Sequence, residues 1–212
     1  MPSLTMHHSV SVIANRKLNL PEASFYLGTI APDVINTEKK ELNHFYEKLE
    51  SGFKVPNIDL FITEYRESLS NPFVLGFLSH LLVDRYFFEE FIDKYIELNN
   101  RELVVNYLLN NELKTIPLRE GFDLLYSEYD KLNKRLVEAY NLNKPEYYEE
   151  KSDITSKEDL EGIINKYSNI LAQMHNQDGA LVLFREKDIL NFIKEAGNKV
   201  AEKITYIKNS LE

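Results

Sequence analysis

The sequence predicts an all-α fold in a single domain, and three observations favour it. Hydrophobic residues recur at intervals of three and four along most of the 212-residue chain, which is the spacing of amphipathic helices. Glycine and proline occur only seven times each, so few positions interrupt a helix. No stretch of useful length alternates apolar and polar residues as a half-buried strand does. The length allows a sizeable core, and we expect one helical domain over residues 1–212.

The first half of the chain, about residues 1–100, is predicted to contain four helices. Pro21 suits the first turn of the second helix, and Pro72 opens the fourth. A polar and irregular stretch at 36–53 separates the second helix from the third. The predicted ranges are His7–Lys17, Pro21–Asp33, Ile58–Ser68 and Pro72–Leu98.

The second half, about residues 101–212, is predicted to contain four more helices. Apolar residues recur at three and four most clearly between Phe122 and Tyr140. Ser156 has Asp159 three residues later, close to the capping-box pattern that begins a helix. The predicted ranges are Arg101–Asn111, Phe122–Tyr140, Ser156–Met174 and Lys187–Lys208, with a break at Pro117.

The acidic composition makes nucleic acids and other polyanions less favourable as partners. With 34 acidic and 25 basic residues, the net charge is −9, so we expect no strong nucleic-acid binding. The chain has no cysteine, which excludes disulfides and thiolate metal sites. No apolar run approaches the roughly 20 residues that cross a bilayer, and we find no signal peptide. We therefore expect a cytoplasmic protein without a transmembrane segment, and the oligomeric state stays open.

One apolar stretch contains two side chains that could bind a metal ion. LGFLSHLLVDRYFF at 75–88 is typical of a buried helix, yet it contains His80 and Asp84 four residues apart. Residues at this spacing share a helix face, so an imidazole and a carboxylate can bind one cation there. A buried aspartate is costly unless it is paired or coordinates a metal. Taken alone, the pair is more simply a His–Asp hydrogen bond, or Asp84 paired with Arg85.

Further candidate ligands lie upstream. Asp33 ends the turn GTIAPD, His44 precedes two aromatic residues, and His7 and His8 stand among apolar residues. Individually, these are ordinary turn, surface and terminal residues. Together with His80 and Asp84 they form a nitrogen-and-oxygen set that suits zinc or iron.

The order of these motifs resembles a known family. An early histidine, GTIAPD at 28–33, HFY at 44–46 and LGFLSHLLVD at 75–84 are similar to short bacterial members of the zinc-dependent phospholipase C family. That family has an all-helical fold, shared with the single-strand-specific nucleases. The resemblance covers about the first 100 residues.

The resemblance implies a metal site and an activity. It implies one ion held by Asp33, His44, His80 and Asp84, with Asp84 bridging to a second ion. His7 matches the second site best, and His8 is the alternative. One or two zinc ions are implied, with iron or manganese as alternatives. The implied activity is hydrolysis of a small phosphoester through a metal-bound hydroxide, with Asp33 as a catalytic base. A phosphodiester, a phosphomonoester and a phospholipid-like substrate all fit this chemistry.

The chain also departs from the family. Glu90 stands where the family has a histidine, and no H-x-x-x-E motif follows. A third metal would need Glu90, Glu128 or His175, and His175 is more simply a residue at a helix C-terminus. Arg16 and Arg85 are candidates for phosphate binding. The incomplete ligand set supports a second interpretation, a non-enzymatic helical protein with a structural or degenerate metal site.

Overall fold

The computed structural model describes residues 2–99, 102–107, 112–147, 154–174 and 179–210, and most of these residues are helical. Short 3-10 turns at Ala31–Asp33, Arg66–Ser68 and Ile92–Lys94 and a π-turn at Phe87–Phe91 extend several helices. The α-helices are α1 Leu4–Leu18, α2 Glu22–Ile30, α3 Thr37–Asn43, α4 Ile58–Glu64, α5 Pro72–Tyr86, α6 Leu118–Tyr140, α7 Lys157–Gln173 and α8 Glu186–Asn209.

Side-chain caps explain where several helices begin. Asn71 accepts a hydrogen bond from the backbone N–H of Phe73, and Pro72 supplies the fixed φ of the first helical position of α5. Ser156 accepts a hydrogen bond from the Asp159 N–H at the start of α7, as the sequence predicts. These caps satisfy donors that a helix N-terminus otherwise leaves unpaired.

Helix α5 lies at the centre of the apolar core because it has no polar face. Every residue from Phe73 to Asp84 is buried. Helices α1, α2 and α8 pack against it, and α6 packs on α1 while α7 reaches α2. The buried apolar side chains form one cluster that extends from Leu4 to Ile207. Within the described ranges, no helix is long and apolar enough to cross a membrane.

Two glycines bring α2 and α5 into backbone contact. A Cβ atom on Gly28 would lie 2.1 Å from the carbonyl oxygen of Phe73, and one on Gly76 would lie 2.1 Å from that of Phe25. Both distances are far below a van der Waals contact, so only glycine fits at either position. This contact holds the turn after α2 beside the middle of α5.

The prediction of an all-α fold is correct for the mostly helical architecture and wrong in excluding strands. Two small antiparallel sheets are present, one pairing Tyr46 with Pro56 and the other pairing Leu103 with Leu98 and Ile116. Their strands are β1 Tyr46–Lys48, β2 Lys54–Pro56, β3 Ile96–Asn99, β4 Glu102–Tyr107 and β5 Glu112–Pro117.

Strand β4 occupies the described part of the helix predicted at Arg101–Asn111, whose residues 101 and 108–111 lie outside the described residues. Leu103 and Val105 are buried and alternate with more exposed neighbours, as they do on one face of a sheet. In so short a window, the same apolar residues also satisfy helical spacing, so periodicity cannot distinguish the two structures.

The regular α-helix α5 ends at Tyr86, and a π-turn and a 3-10 turn continue it to Lys94, so the helical segment stops short of the predicted end near Leu98. Beyond Tyr86, Phe91 packs against Phe192 of α8 with ring centroids 5.0 Å apart. The Tyr95 hydroxyl donates a hydrogen bond of 2.6 Å to Asp188. Contacts with α8 therefore determine the path of the chain after Tyr86, and these contacts are not visible in the local pattern.

Glu128 fixes the segment before α8. Its buried carboxylate accepts hydrogen bonds from the backbone N–H groups of Val182, Leu183 and Phe184, at 2.8–3.2 Å. Lys131 pairs with its other oxygen at 2.9 Å. The carboxylate thus satisfies three backbone donors that no helix or strand pairs.

We expect Glu128→Gln to lower the free energy of unfolding by about 2 kcal/mol, because hydrogen bonds to a charged acceptor contribute about 1.5–3 kcal/mol. Urea denaturation followed by circular dichroism measures the change. Glu138→Gln, at an exposed position of the same helix, is the matched control and should change stability by less than about 0.5 kcal/mol. Equal stability of the two variants would contradict a structural role for Glu128.

Candidate metal centre

Four segments bring the five predicted ligands together. His7 lies on α1, Asp33 at the end of the turn after α2, and His44 at the C-terminal end of α3, while His80 and Asp84 lie on α5. The side chains are buried, with Asp33 the most exposed at 4%. Two groups of three residues could each hold an ion, because the ligand atoms within each group lie within 4.8 Å of one another. The groups are His7, His80 and Asp84, and Asp33, His44 and His80.

Backbone carbonyls fix the orientation of two imidazoles. The Nδ1 of His80 lies 2.8 Å from the Thr29 carbonyl oxygen, and the Nδ1 of His44 lies 2.6 Å from that of Lys40. A carbonyl oxygen can only accept a hydrogen bond, so each Nδ1 carries the proton and donates it. The Nε2 of each neutral ring therefore has a free lone pair. Metal-binding histidines are typically held by a hydrogen bond of this kind.

The two Nε2 atoms face each other at 3.1 Å. Burial lowers the pKa of His44 and of His80, and the neighbouring carboxylates oppose this effect without reversing it. Both rings are therefore neutral at pH 7, and two lone pairs at this distance repel each other. A cation bound between the Nε2 atoms would remove that repulsion.

Two carboxylates complete this arrangement. Asp84 Oδ2 lies 3.4 Å from the Nε2 of His44 and 3.7 Å from the Nε2 of His80. Asp33 Oδ1 lies 3.8 Å from the Nε2 of His44. Zinc bonds of about 2.0–2.2 Å in a tetrahedron place ligand atoms roughly 3.3–3.6 Å apart. The ligand atoms of His44, His80 and Asp84 lie at 3.1–3.7 Å from one another, near this spacing, and Asp33 Oδ1 lies slightly farther from His44.

Both carboxylates are anionic at neutral pH despite their burial. Burial raises the pKa of Asp84, but the contact with His7 and the other imidazoles outweigh it and lower the pKa to about 2. Burial also opposes ionisation of Asp33, whose pKa is held well below its usual range by His80 and by the ion pair with Lys40. Two negative charges thus face the imidazoles, and this pattern of charge suits a divalent cation.

The second oxygen of Asp84 faces His7. The Nε2 of His7 lies 3.3 Å from Asp84 Oδ1, and the His7 ring stacks on His80 with centroids 3.6 Å apart. Among the described residues, neither nitrogen of His7 has a hydrogen-bond partner of good geometry. Asp84 thus presents one oxygen to His7 and the other to His44 and His80, so it would contribute ligand atoms to both positions if two ions were bound.

The side chains of the two adjacent histidines, His7 and His8, have different surroundings. His8 points away from the cluster, and its Nδ1 lies 2.8 Å from the hydroxyl of Tyr167. Burial lowers the pKa of His8 to about 4, so the ring is neutral at pH 7. His8 therefore contributes to the packing of the core. His7 is thus the member of the pair that lies among the other candidate ligands.

A small group of hydroxyls holds the helices around the centre. Ser11 Oγ of α1 lies 2.9 Å from Thr29 Oγ1 of α2 and 3.0 Å from Ser79 Oγ of α5. All three side chains are buried. Because the Thr29 carbonyl also accepts the hydrogen bond from His80, this group positions a ligand as well as the helices.

Other predicted candidates lie elsewhere. Glu90 is exposed and pairs with Lys199, Glu128 binds the backbone before α8, and Arg85 pairs with Glu47 and Glu89. Arg16 is exposed near the end of α1. Among the described residues, none of these four joins the cluster. His175 lies outside the described residues.

Sequence reasoning missed four residues near the centre. Tyr46 stacks on His44 with ring centroids 5.1 Å apart. Lys40, Tyr129 and Lys166 line a cavity of about 270 Å³ that has Asp33 in its wall. Lys40 precedes His44 by one helical turn, which was a usable signal. The sequence contains no comparable signal for Tyr129 and Lys166, because they lie on α6 and α7, far along the chain from the candidate ligands.

Comparisons of this chain with protein-family models, with curated proteins and with solved structures found no match. The geometry of the cluster and the order of its motifs are therefore the basis for assigning a function.

Proposed function

We propose that this protein is a metal-dependent hydrolase of phosphoesters, with a helical fold of the type found in the zinc-dependent phospholipase C family. The observation that carries the proposal is the pair of lone-pair-bearing Nε2 atoms of His44 and His80, 3.1 Å apart and buried between two carboxylates. A buried set of this composition is destabilising without a cation, and it suits zinc, with iron or manganese as alternatives.

The proposed ligands divide between two positions. Asp33, His44, His80 and Oδ2 of Asp84 would hold the first ion, and His7 with Oδ1 of Asp84 would contribute to the second. A divalent cation bound there supplies a Lewis acid that polarises a phosphoryl oxygen and makes a water molecule more acidic. The hydrogen bonds to the Thr29 and Lys40 carbonyls would keep the two imidazoles oriented throughout.

Asp33 is the proposed catalytic base. It is the one candidate ligand that also lines the adjacent cavity, so it is the carboxylate placed to accept a proton from a water molecule there. The ion pair with Lys40 weakens it as a base by lowering its pKa. The proposed role therefore requires Lys40 to move away from Asp33 when an anionic substrate enters.

The proposed substrate is a small phosphoester. The cavity beside Asp33 is small, and the net charge of −9 does not favour a long nucleic acid. A cytoplasmic location remains a prediction from the sequence.

We expect protein purified without added metal to contain about one or two equivalents of zinc, iron or manganese by inductively coupled plasma spectrometry. Removal of the metal with EDTA should lower the melting temperature by about 5–10 °C. Binding at a hundredfold excess over Kd adds about 2.7 kcal/mol of stability, and 1 kcal/mol corresponds to about 2–4 °C at this chain length.

Metal-loaded protein should also hydrolyse at least one member of a panel of phosphomonoesters and phosphodiesters. Absence of metal together with an unchanged melting temperature after EDTA would refute the metal site. Bound metal without hydrolysis of any phosphoester would favour the non-enzymatic alternative, in which four protein ligands close a structural site.

A further inference from the structure

The cavity beside the metal centre is formed by parts of the chain that are far apart in sequence. Its walls include the start of α1, Asp33, Lys40 of α3, Tyr129 of α6 and Lys166 of α7. The volume of about 270 Å³ lies just below the range of roughly 300–1,000 Å³ that is usual for drug-sized ligands. The cavity is therefore suited to a small molecule, and one of its walls is a candidate metal ligand.

Two ammonium groups face this cavity from opposite elements. Lys40 forms an ion pair with Asp33 and is about one-quarter exposed. Within the described part of the chain, Lys166 has no ion-pair partner, whereas Lys39, Lys131 and Lys199 each pair with an acid. The cavity lining thus contains two lysines, Lys40 and Lys166, together with two carboxylates, Asp33 and Asp130.

Lys166 is close enough to respond to the charges of the centre. Desolvation lowers its pKa, the Asp33 carboxylate raises it, and Lys40 lowers it. The two lysines thus repel each other across the cavity, and an anion between them relieves that repulsion. Two carboxylates at the cavity wall oppose anion binding: Asp33, whose charge is offset by the ion pair with Lys40, and Asp130, which is exposed.

Tyr129 also lines this cavity, and its hydroxyl is buried. Tyr129 is 3% exposed, and its hydroxyl has no hydrogen-bond partner among the described residues. A buried hydroxyl without a partner is unfavourable, so a ligand atom that accepts its proton is stabilising. Burial and the Asp84 charge raise the pKa of Tyr129, so the hydroxyl remains a donor at neutral pH.

We propose that this cavity binds the phosphate of a small phosphomonoester, with Lys40 and Lys166 contacting its oxygens and Tyr129 donating a hydrogen bond. This inference rests on the proposed function and narrows its substrate class. A phosphomonoester carries up to two negative charges and has one organic substituent, whereas a phosphodiester carries one charge and has two. If both lysines contact the phosphate oxygens, the more highly charged monoester gains more from these contacts than the diester.

Substrate binding also frees Asp33. Lys40 moves from the Asp33 carboxylate to the phosphate, and Asp33 can then accept a proton from the attacking water. The water oxygen forms a bond to phosphorus, and the bond between phosphorus and the leaving oxygen breaks. The proton on Asp33 passes to that leaving oxygen, so the products are an alcohol and inorganic phosphate.

The test compares Lys166→Gln with wild type, both loaded with zinc or manganese. The substrates are p-nitrophenyl phosphate and bis-p-nitrophenyl phosphate. We expect wild type to prefer the monoester, and Lys166→Gln to raise KM for the monoester roughly tenfold or more, since the lost contact is charge-assisted. The kcat/KM for the diester should change less than about threefold. Because Lys166 is exposed at the surface of α7, the variant should fold normally.

Lys157→Gln is the matched control, because Lys157 is an exposed lysine of the same helix that does not line the cavity. Equal monoester kinetics for the two variants, or a wild-type preference for the diester, would overturn this inference and leave the proposed function standing. If no phosphoester is hydrolysed, the proposed function fails. Calorimetric titration with inorganic phosphate then tests separately whether the cavity binds an anion. Phosphate binding that weakens in Lys166→Gln supports the anion site, and absence of phosphate binding refutes it.

Discussion

Asp84→Asn is expected to abolish phosphoester hydrolysis while the helices stay folded. Asp84 presents Oδ2 to His44 and His80, and Oδ1 to His7, so both of its oxygens face candidate ligands. Asparagine keeps the shape of the side chain, but it removes the negative charge that offsets the cations. Replacement of any single histidine removes one ligand, so it should reduce phosphoester hydrolysis less than Asp84→Asn does.

We expect kcat/KM for bis-p-nitrophenyl phosphate to fall by more than about 100-fold, because even changes to residues behind the ligands cost about 10–100-fold. Metal content by plasma spectrometry should fall in parallel, and circular dichroism should report the same helix content as wild type. Asp59→Asn, at an exposed position of α4, is the control and should retain full activity. If Asp84→Asn retains full activity, the pair on α5 is a buried hydrogen bond and the metal proposal is wrong.

Gly76→Ala is expected to destabilise the protein more than Glu128→Gln does. The new methyl group would lie 2.1 Å from the Phe25 carbonyl oxygen, and the clashing atom belongs to backbone rather than to a flexible side chain. Helices α2 and α5 must then separate. Overpacking typically costs about 1–3 kcal/mol, and we expect more than about 3 kcal/mol because neither helix can relax by a rotamer change.

Metal affinity should fall with stability in this variant, because separation of the helices breaks the hydrogen bond from His80 to the Thr29 carbonyl. Urea denaturation and plasma spectrometry measure the two effects. Gly162→Ala in helix α7 is the control, since its added methyl group would meet only the flexible end of the Ile35 side chain, at 3.3 Å. It should stabilise the protein by about 0.4–1 kcal/mol. Wild-type stability of Gly76→Ala would show that α2 and α5 do not touch through their backbones.

The sequence by itself determined most of the helices and indicated Asp33, His44, His80 and Asp84 as candidate ligands, with His7 and His8 as alternatives for a fifth. Caps such as Asn71 and Ser156 and the apolar spacing of α6 are local features, and local features encode helix position well. His80 and Asp84 were found for the same reason, because their spacing on one helix face is fixed by helix geometry.

The sequence did not determine the strands. The residues of β4 satisfy the spacing of a helix and of a strand, and pairing with β3 and β5 decides between them. The end of α5 was missed for a similar reason, because contacts of Phe91 and Tyr95 with α8 decide the path of the chain there. Such pairings join distant segments, and a short window of sequence does not contain them.

Only the tertiary structure decided which side chains face the centre. His7 and His8 are adjacent, and adjacent residues of a helix point about 100° apart, so the packing of α1 on its neighbours decides which one reaches Asp84. Lys40, Tyr129 and Lys166 come from three helices and meet at one cavity. Their proximity results from the way the helices pack, and no spacing within any one helix encodes it.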